Sequence, residues 1–579
     1  MECEAKHMEA ITICERCNHK FVPNSKTQNH PAIPAEQIRY NRVPLEKDIP
    51  QNRIFLQEEE EELKRYEDEA VRLRSALEQL EVQRKTLEKK VEERRSWLSP
   101  IRRLPREILE EIFTFVSLHK YGHALQAFPV VRGSGVGLPD RTLRIHAPAL
   151  DLSHVSHYWR WITNDFPRLW SSISVDVFEL DEDIRPLVNH YLRKSKDYPL
   201  DIVISDSETP NRRGRCIQDH LGRHGLDITK MILWEHPRIE RLQLEFDEDI
   251  LSVACIQHIS FPALDYFCNG MRVLQARAET KWFWDAIHDA PNLLSAATDY
   301  PLPRCMLPYE RLRHLSITSN CETEQLLHIL RICASLRSLE CHELEPALMP
   351  WDETELVCAG VTPSHLHHLS IAPTCGPRDL NFLFEHLTAP SLASFEILDN
   401  YSEDLATEHD EPWSLRPFID FLRRSRCKLV DLLLEVPSSS ILDTEFLEVL
   451  EVCPTLSAIE VNVLGAKKGS DTLIYKVLQG LRPRENSQTM LVPVVEDFIM
   501  TEVDSSIDSE TASNILDIIE LRNAVGLRRE DVWNVQLEFS NLAICETGEK
   551  RALEERMQRL SEDGVDCSIR WTLAEWPPT

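Results

Sequence analysis

One six-residue pattern, L-x-x-L-x-L, recurs through the second half of this 579-residue chain and restricts its fold more than any other feature. It reads Ile239-Glu-Arg-Leu-Gln-Leu244, Leu312-Arg-His-Leu-Ser-Ile317, Leu336-Arg-Ser-Leu-Glu-Cys341 and Leu366-His-His-Leu-Ser-Ile371. It continues as Leu392-Ala-Ser-Phe-Glu-Ile397, Leu429-Val-Asp-Leu-Leu-Leu434 and Leu456-Ser-Ala-Ile-Glu-Val461. Alternation over the last three positions is the period of a strand with one buried face. Counted from the first leucines, the steps between 312 and 456 are 24, 30, 26, 37 and 27 residues. Helix-like segments fill the gaps, as at Glu324-Gln-Leu-Leu-His-Ile-Leu330 and Pro417-Phe-Ile-Asp-Phe-Leu-Arg423.

A short strand followed by a helix every ~20–30 residues resembles a leucine-rich repeat. The uneven steps and the missing asparagine make it a degenerate version. The resemblance implies a solenoid over residues 176–579, with the leucines as its core and the strands lining a concave face. Alternation then turns Arg241, Gln243, His314, Ser316, Ser338, Glu340, His368, Ser370, Ser394, Glu396, Asp431 and Glu460 outward. Of these, Arg241, Gln243, His314, Ser316, Glu340, His368, Glu396, Asp431 and Glu460 are the candidate contacts to a target protein. One Arg against four acids favours a basic patch on that target. Residues 501–513, acidic and serine-rich, read as a loop. The competing reading, separate α/β domains, lacks any nucleotide-binding fingerprint.

Composition narrows the partners. Lys plus Arg is 65 against 95 for Asp plus Glu, a net charge of −30. That disfavours nucleic acid and anionic membrane, both of which attract basic surfaces. Glycine is scarce, at 16 residues, which argues against the phosphate loops of a large nucleotide-binding enzyme. The opening MECEAKHMEA has no apolar run of the secretory kind, and no stretch reaches the ~18 apolar residues of a membrane span. Cysteines such as Cys255, Cys268, Cys333 and Cys453 stand singly in apolar segments and read as buried thiols. The expectation is an acidic intracellular protein, cytoplasmic and/or nuclear.

Residues 1–50 are polar and punctuated by proline, and read as a disordered tail. Cys14 and Cys17, with Cys3, His7 and His19 nearby, have the spacing of half a zinc site; the second half is missing, so no metal is assigned. Residues 51–98 read as a coiled-coil helix. Residues 57–95 hold 13 acids and 10 bases with neither Pro nor Gly. Leu56, Leu63, Ala70, Leu77, Arg84, Val91 and Leu98 fall at heptad position a, and Tyr66, Leu73, Leu80 and Leu87 at d. In a parallel dimer Glu69 attracts Arg74, but Glu62 repels Glu67, Lys90 repels Arg95, and Arg84 lies in the seam. Self-association and folding back onto the same chain therefore both stay open.

After the helix come Leu104-Pro105-Arg-Glu-Ile108-Leu109-Glu-Glu-Ile112-Phe113, then Leu152-Ser-His-Val155-Ser-His-Tyr158-Trp159-Arg-Trp161, then Pro167-Arg168-Leu169-Trp170. Pro105 suits the first turn of a helix, and Ile108, Ile112 and Val116 repeat at i, i+4, i+8. In their order these residues resemble an F-box. The wording Pro-Arg-Leu-Trp-Ser-Ser-Ile at 167–173, and Tyr191-Leu-Arg-Lys-Ser-x3-Pro199-Leu200 after it, resembles the F-box proteins of basidiomycete fungi. The resemblance departs at residues 117–150, a segment longer than usual. Gly133-Ser-Gly135-Val-Gly137 within it has no strand before it and no helix after it, so it reads as a loop.

The resemblance implies a three-helix module over residues 99–175 that docks a Skp-type adaptor and through it a cullin. Leu104, Pro105, Ile108, Leu109, Ile112, Leu152, Val155, Trp159, Leu169 and Trp170 are the adaptor-binding candidates. The expected architecture is α/β (α+β overall): a coiled-coil helix, a three-helix F-box, then the repeat region. The expected role is a substrate receptor of a Skp–cullin–F-box ubiquitin ligase, without catalysis or cofactor of its own. Two alternatives stand beside it: a coiled-coil and repeat scaffold working without a ligase, and an enzyme with a pocket among the repeats. His154 and His157, or His365, His367 and His368, have no ligand-spaced carboxylate or cysteine beside them.

Overall fold

The computed structural model describes the chain apart from residues 1–9, 15–18, 41–43, 120–121, 133–139, 207–219, 272–276, 346–359, 375–378, 399–413, 438–442, 465–470, 483–490, 493, 527–532, 544–546, 564 and 572–579. It forms two compact units, Met1–Ile108 and Leu109–Thr579. The fold is mixed α/β.

The first unit is built on one long helix. Strands β1 (Ile11–Cys14) and β2 (His19–Phe21) form an antiparallel hairpin. Helices α1 (Ser25–Gln28) and α2 (Ala35–Arg39) follow, then α3 (Ile49–Trp97). Residues 11–14 and 19–39, read from sequence as part of a tail without order, thus carry structure, and the stretch from His19 to His30 folds onto α3. The Phe21 ring lies 4.5 Å from Tyr66, and the Asn24 amide donates to Glu62 at 2.9 Å. His30 sits 4.2 Å from the Phe55 ring and bonds Glu58 and Glu59 at 2.9 and 3.1 Å. Partners so far apart in sequence leave no local period to read. The zinc reading lies outside the described residues, which omit Cys3, His7, Cys17 and the side chain of Cys14.

Helix α4 (Arg106–Thr114) spans the boundary between the units and runs into a π-helical turn, Phe115–His119. The segment that departs from the F-box pattern is a hairpin, β3 (Leu125–Arg132) and β4 (Asp140–His146); its glycine-rich turn lies outside the described residues. Helices α5 (Pro148–Val155) and α6 (His157–Asp165) follow, then β5 (Ser172–Asp176). Strand β3 pairs with β5 in parallel, Leu125 opposite Ile173. The sheet therefore begins inside the segment expected to be a separate three-helix module.

From β5 the sheet runs through β6 (Leu200–Ser205), β7 (Ile239–Glu245), β8 (Tyr266–Asn269), β9 (Ser295–Thr298) and β10 (His314–Ile317). The short β11 (Cys321–Glu322) and β10 both pair with β12 (Ser338–Glu345). Then come β13 (His368–Pro373), β14 (Ser394–Ile397), β15 (Asp431–Pro437), β16 (Ala458–Leu464), β17 (Asp497–Asp508), β18 (Trp533–Ala543) and β19 (Val565–Trp571). All are parallel except β3 with β4. No pairing among the described residues joins β19 to β4, so the sheet is open. The helices between strands pack on one another in chain order, as Thr323–Ile332 on Asp379–His386 and that helix on Arg416–Ser425. They therefore share one face of the sheet.

The recurrent leucines stack into rows. Leu315, Leu339, Leu369, Phe395, Leu432, Ile459, Phe498 and Val535 are in register across successive strands, and all are buried. Two positions on, Ile317, Cys341, Ile371, Ile397, Leu434, Val461, Met500 and Leu537 form a second buried row. Parallel pairing aligns like with like, so a repeated sequence becomes a continuous core.

The expected loop at 501–513 is instead the end of β17 and the start of helix Ser509–Gly526. Asp508 caps that helix by accepting the Thr511 amide at 2.8 Å, and Ile507, Ala512, Ile515 and Leu516 are buried. The acids and serines that suggested a loop include residues suited to a helix start.

Gly225, at the start of helix Gly225–Leu233, lets that helix approach the backbone just beyond β5. A Cβ there would stand 2.6 Å from the Val177 carbonyl oxygen. Gly225→Ala is expected to destabilise by about 1–3 kcal/mol through overpacking, measured as a lowered melting temperature.

Candidate docking helices and sheet face

Helix α5 opens with Pro148 in its first turn, where a missing N–H is harmless. Ser156 ends it and caps α6, its hydroxyl accepting the Trp159 amide at 3.1 Å. The inner side of α6 is core. Ile162 and Thr163 are buried, and Trp159 packs on Phe113 with ring centroids 4.8 Å apart. Trp170, fully buried, donates its indole N–H to the Thr163 carbonyl at 2.7 Å and meets Tyr191 edge-on at 4.9 Å.

The outer side is apolar as well, and it is wet. Val155, Tyr158 and Trp161 are 61%, 45% and 50% exposed, and the Tyr158 and Trp161 rings stack at 6.0 Å. Phe115, 63% exposed, stands on the π-helical turn that packs against α5. Large aromatic side chains held in water on rigid helices mark interaction surfaces more often than scattered single leucines do.

Against this geometry the ten adaptor-binding candidates separate. Pro105, Ile108 and Val155 are exposed, and Leu104, Ile112, Leu152 and Trp159 are half-buried. Leu109, Leu169 and Trp170, expected to be contacts, are core residues at 0–1% exposure and cannot touch a partner. For Leu109 the helix period was right, but an apolar stripe wider than one face does not say which side turns inward; Leu169 and Trp170 sit in a short turn, Pro167–Trp170, with no period to orient them. The surface residues that sequence reasoning did not select are Phe115, Tyr158 and Trp161. The available signal was the spacing of Tyr158 and Trp161, three apart on one helix.

The bare side of the sheet carries the nine target-contact candidates in two rungs. Arg241, His314, His368 and Asp431 fall in one, joined in register through Tyr266, Ser295, Ser338 and Ser394. Gln243, Ser316, Glu340, Glu396 and Glu460 fall in the next. Every one is exposed or half-buried. The Arg241 guanidinium lies over the Tyr266 ring at 4.2 Å and 4.0 Å from Asp201. His368 bonds the Ser394 hydroxyl at 3.1 Å, and Asn462 donates to Glu460 at 3.2 Å and Glu435 at 3.4 Å. Towards the last strands Asp497, held by Asn534 at 2.9 Å, and Asp566 extend the rung of Asp431 with further acids. These went unselected because β17–β19 lack the leading leucine of the pattern.

One grouping has the residue types of a hydrolytic triad. His123 bonds the Ser172 hydroxyl at 2.8 Å, and that hydroxyl donates to Asp201 at 3.3 Å. Here the carboxylate holds the serine rather than the imidazole, whereas activation of a serine needs the histidine in the middle. Burial also lowers the His123 pKa, disfavouring its charged form. Burial pushes the Cys333, Cys453 and Cys567 thiols up to about 12, and contact with Cys341 together with burial raises Cys321. Such thiols are protonated at neutral pH and poor nucleophiles. No group of three or more His, Cys, Asp or Glu side chains able to hold a metal occurs among the described residues. No helix among them is long and apolar enough to cross a membrane.

No known family model matches the chain, and no curated protein matches it.

Proposed function

We propose that the chain is an F-box-type substrate receptor of a Skp–cullin–F-box ubiquitin ligase, working in the cytoplasm, the nucleus or both. The observation that carries this reading is the exposed apolar surface of Val155, Tyr158 and Trp161 on α5 and α6, whose other sides are core. A Skp-type adaptor covering it links the chain to a cullin. The sheet, taken as a degenerate leucine-rich-repeat solenoid, holds a target protein on its bare face, with a basic segment favoured by the acidic rungs. The chain then contributes proximity and no chemistry, metal or cofactor of its own.

The test is a pull-down of the full chain with a Skp adaptor, wild type against Val155→Ala/Tyr158→Ala/Trp161→Ala. Each side chain buried on docking contributes about 1.5–3 kcal/mol, so adaptor recovery should fall by at least roughly a hundredfold in affinity. Equal recovery from both chains would remove the docking claim. Adaptor without cullin in the wild-type sample would favour a scaffold that works without a ligase.

A further inference from the structure

Among the described residues, helix α3 is covered along its first half only. The N-terminal segment reaches it through Phe55, Glu58, Glu59, Glu62, Tyr66 and Glu69, and the last of these contacts is His19 with Glu69 and Arg72. Beyond them every residue from Val71 to Leu98 is exposed. Leu73, Leu77, Leu80, Leu87 and Val91 are 38%, 59%, 63%, 63% and 40% exposed along one heptad seam. About five turns of bare apolar stripe on a charged helix require a cover in water.

We infer that the cover is a second copy of this chain, paired antiparallel through residues 70–94. Charge decides the direction. A parallel pair sets Arg84 against Arg84 in the seam and Lys90 against Arg95 beside it. An antiparallel pair can set Leu73 on Val91, Leu77 on Leu87 and Leu80 on Arg84 of the second copy. That register brings Arg74 to Glu88 and Glu67 to Arg95, each twice. Its one like-charged contact, Glu81 with Glu81, lies at the twofold axis and is flanked by both Arg84 side chains. Sliding by a heptad one way makes Glu81–Glu88 and Arg74–Arg95 contacts, all repulsive. Sliding the other way opposes Glu67 to Glu88 and puts Arg84 on Leu73.

The required charges are available. Arg74, Glu67 and Arg95 make no ion pair among the described residues, and Glu88 is held only by the exposed Arg84 at 2.7 Å. The paired span begins where the N-terminal cover ends and is about 37 Å long at 1.5 Å per residue. It leaves Tyr66 and Glu62 to their contacts within the chain, so folding of the N-terminal segment and self-pairing do not compete.

Two full-length chains, Leu73→Cys and Val91→Cys, test this under mild oxidation, with crosslinked peptides identified by mass because the chain has 16 cysteines of its own. The mixture is expected to yield a disulfide between positions 73 and 91, and neither chain alone a disulfide at its own substituted position. A 73–73 disulfide from Leu73→Cys alone would mean parallel pairing and overturn the inference. A wild-type molar mass by light scattering that stays at 67.1 kDa across the concentrations used would do the same. Arg74→Glu should weaken the dimer roughly tenfold and Arg74→Glu/Glu88→Arg should restore it. Failure of the double variant to recover affinity would count against this register.

Discussion

Trp170→Ala is expected to lower stability by about 3–5 kcal/mol and the melting temperature by roughly 5–10 °C, while Tyr158→Ala/Trp161→Ala leaves the melting temperature within about 1–2 °C of wild type. The three aromatic residues belong to one short stretch of sequence and differ only in what surrounds them. Trp170 is fully buried, stacked against Tyr191 and His190, and bonded to the Thr163 carbonyl at 2.7 Å. Its removal leaves a cavity and strips that carbonyl of its indole donor. Tyr158 and Trp161 lean on each other in water, so their loss empties no core. Calorimetry of the three chains separates the two roles. Equal destabilisation by both variants would place the Tyr158–Trp161 pair in the core and undercut the proposed docking surface.

Arg522→Met is the second large effect, expected at about 3 kcal/mol and confined to one end of the sheet. Arg522 is 4% exposed and donates to three carbonyls: Leu481 at 3.4 Å, Leu491 at 2.9 Å and Val492 at 2.6 Å. Burial pulls its pKa down to about 10, so the guanidinium is still charged at neutral pH. Leu481 ends the helix Leu473–Leu481, where unpaired carbonyls favour a cation. Val492 sits in the left-handed region with φ +39°, a strained conformation for a β-branched residue. Methionine fills similar volume and donates nothing, which leaves buried acceptors unsatisfied. Hydrogen exchange should quicken in Leu473–Leu481 and β17 and stay unchanged in β5 to β9. Lysine should not rescue the loss, because one ammonium cannot reproduce the fork. Uniform quickening across the sheet would show that Arg522 supports the whole unit rather than its end.

How far the chain could be read before folding depended on whether a residue's partner repeats. Leu315, Leu339, Leu369 and Leu432 were legible because each strand pairs with a copy of itself, so the pattern states its own register. At β8 and β9 the same core positions hold Asn269 and Thr298, both buried, and the pattern vanishes although the fold continues. Asn269 is tolerated there because its amide donates to the Met271 carbonyl at 3.1 Å. The hairpin β3–β4 was invisible for another reason. Its neighbour is β5, across two intervening helices, and no local period encodes that pairing.

The docking candidates illustrate the same limit on a smaller scale. Helical spacing identified α5 and α6 but did not orient them. Trp159 turns inward and Trp161 outward because Phe113 occupies one side of α6, a contact with a helix more than forty residues earlier. The outward strand positions fared better. Every one of the nine predicted residues lies on the bare side, since two-residue alternation determines the face once the strand is recognised.

The hairpin that starts the sheet has a mechanical consequence. Because β3 hydrogen-bonds to β5 on the far side of α5 and α6, those helices are clamped into the sheet and do not hang from it by a linker. A receptor on a flexible tether sweeps a volume and presents many lysines of its cargo by chance. On the proposed function, a receptor clamped in this way would hold its cargo at one bearing, so the choice of modified lysine would become a matter of geometry. Lengthening the array by one strand and helix would then change which lysine is reached, whereas lengthening a tether would change only how often.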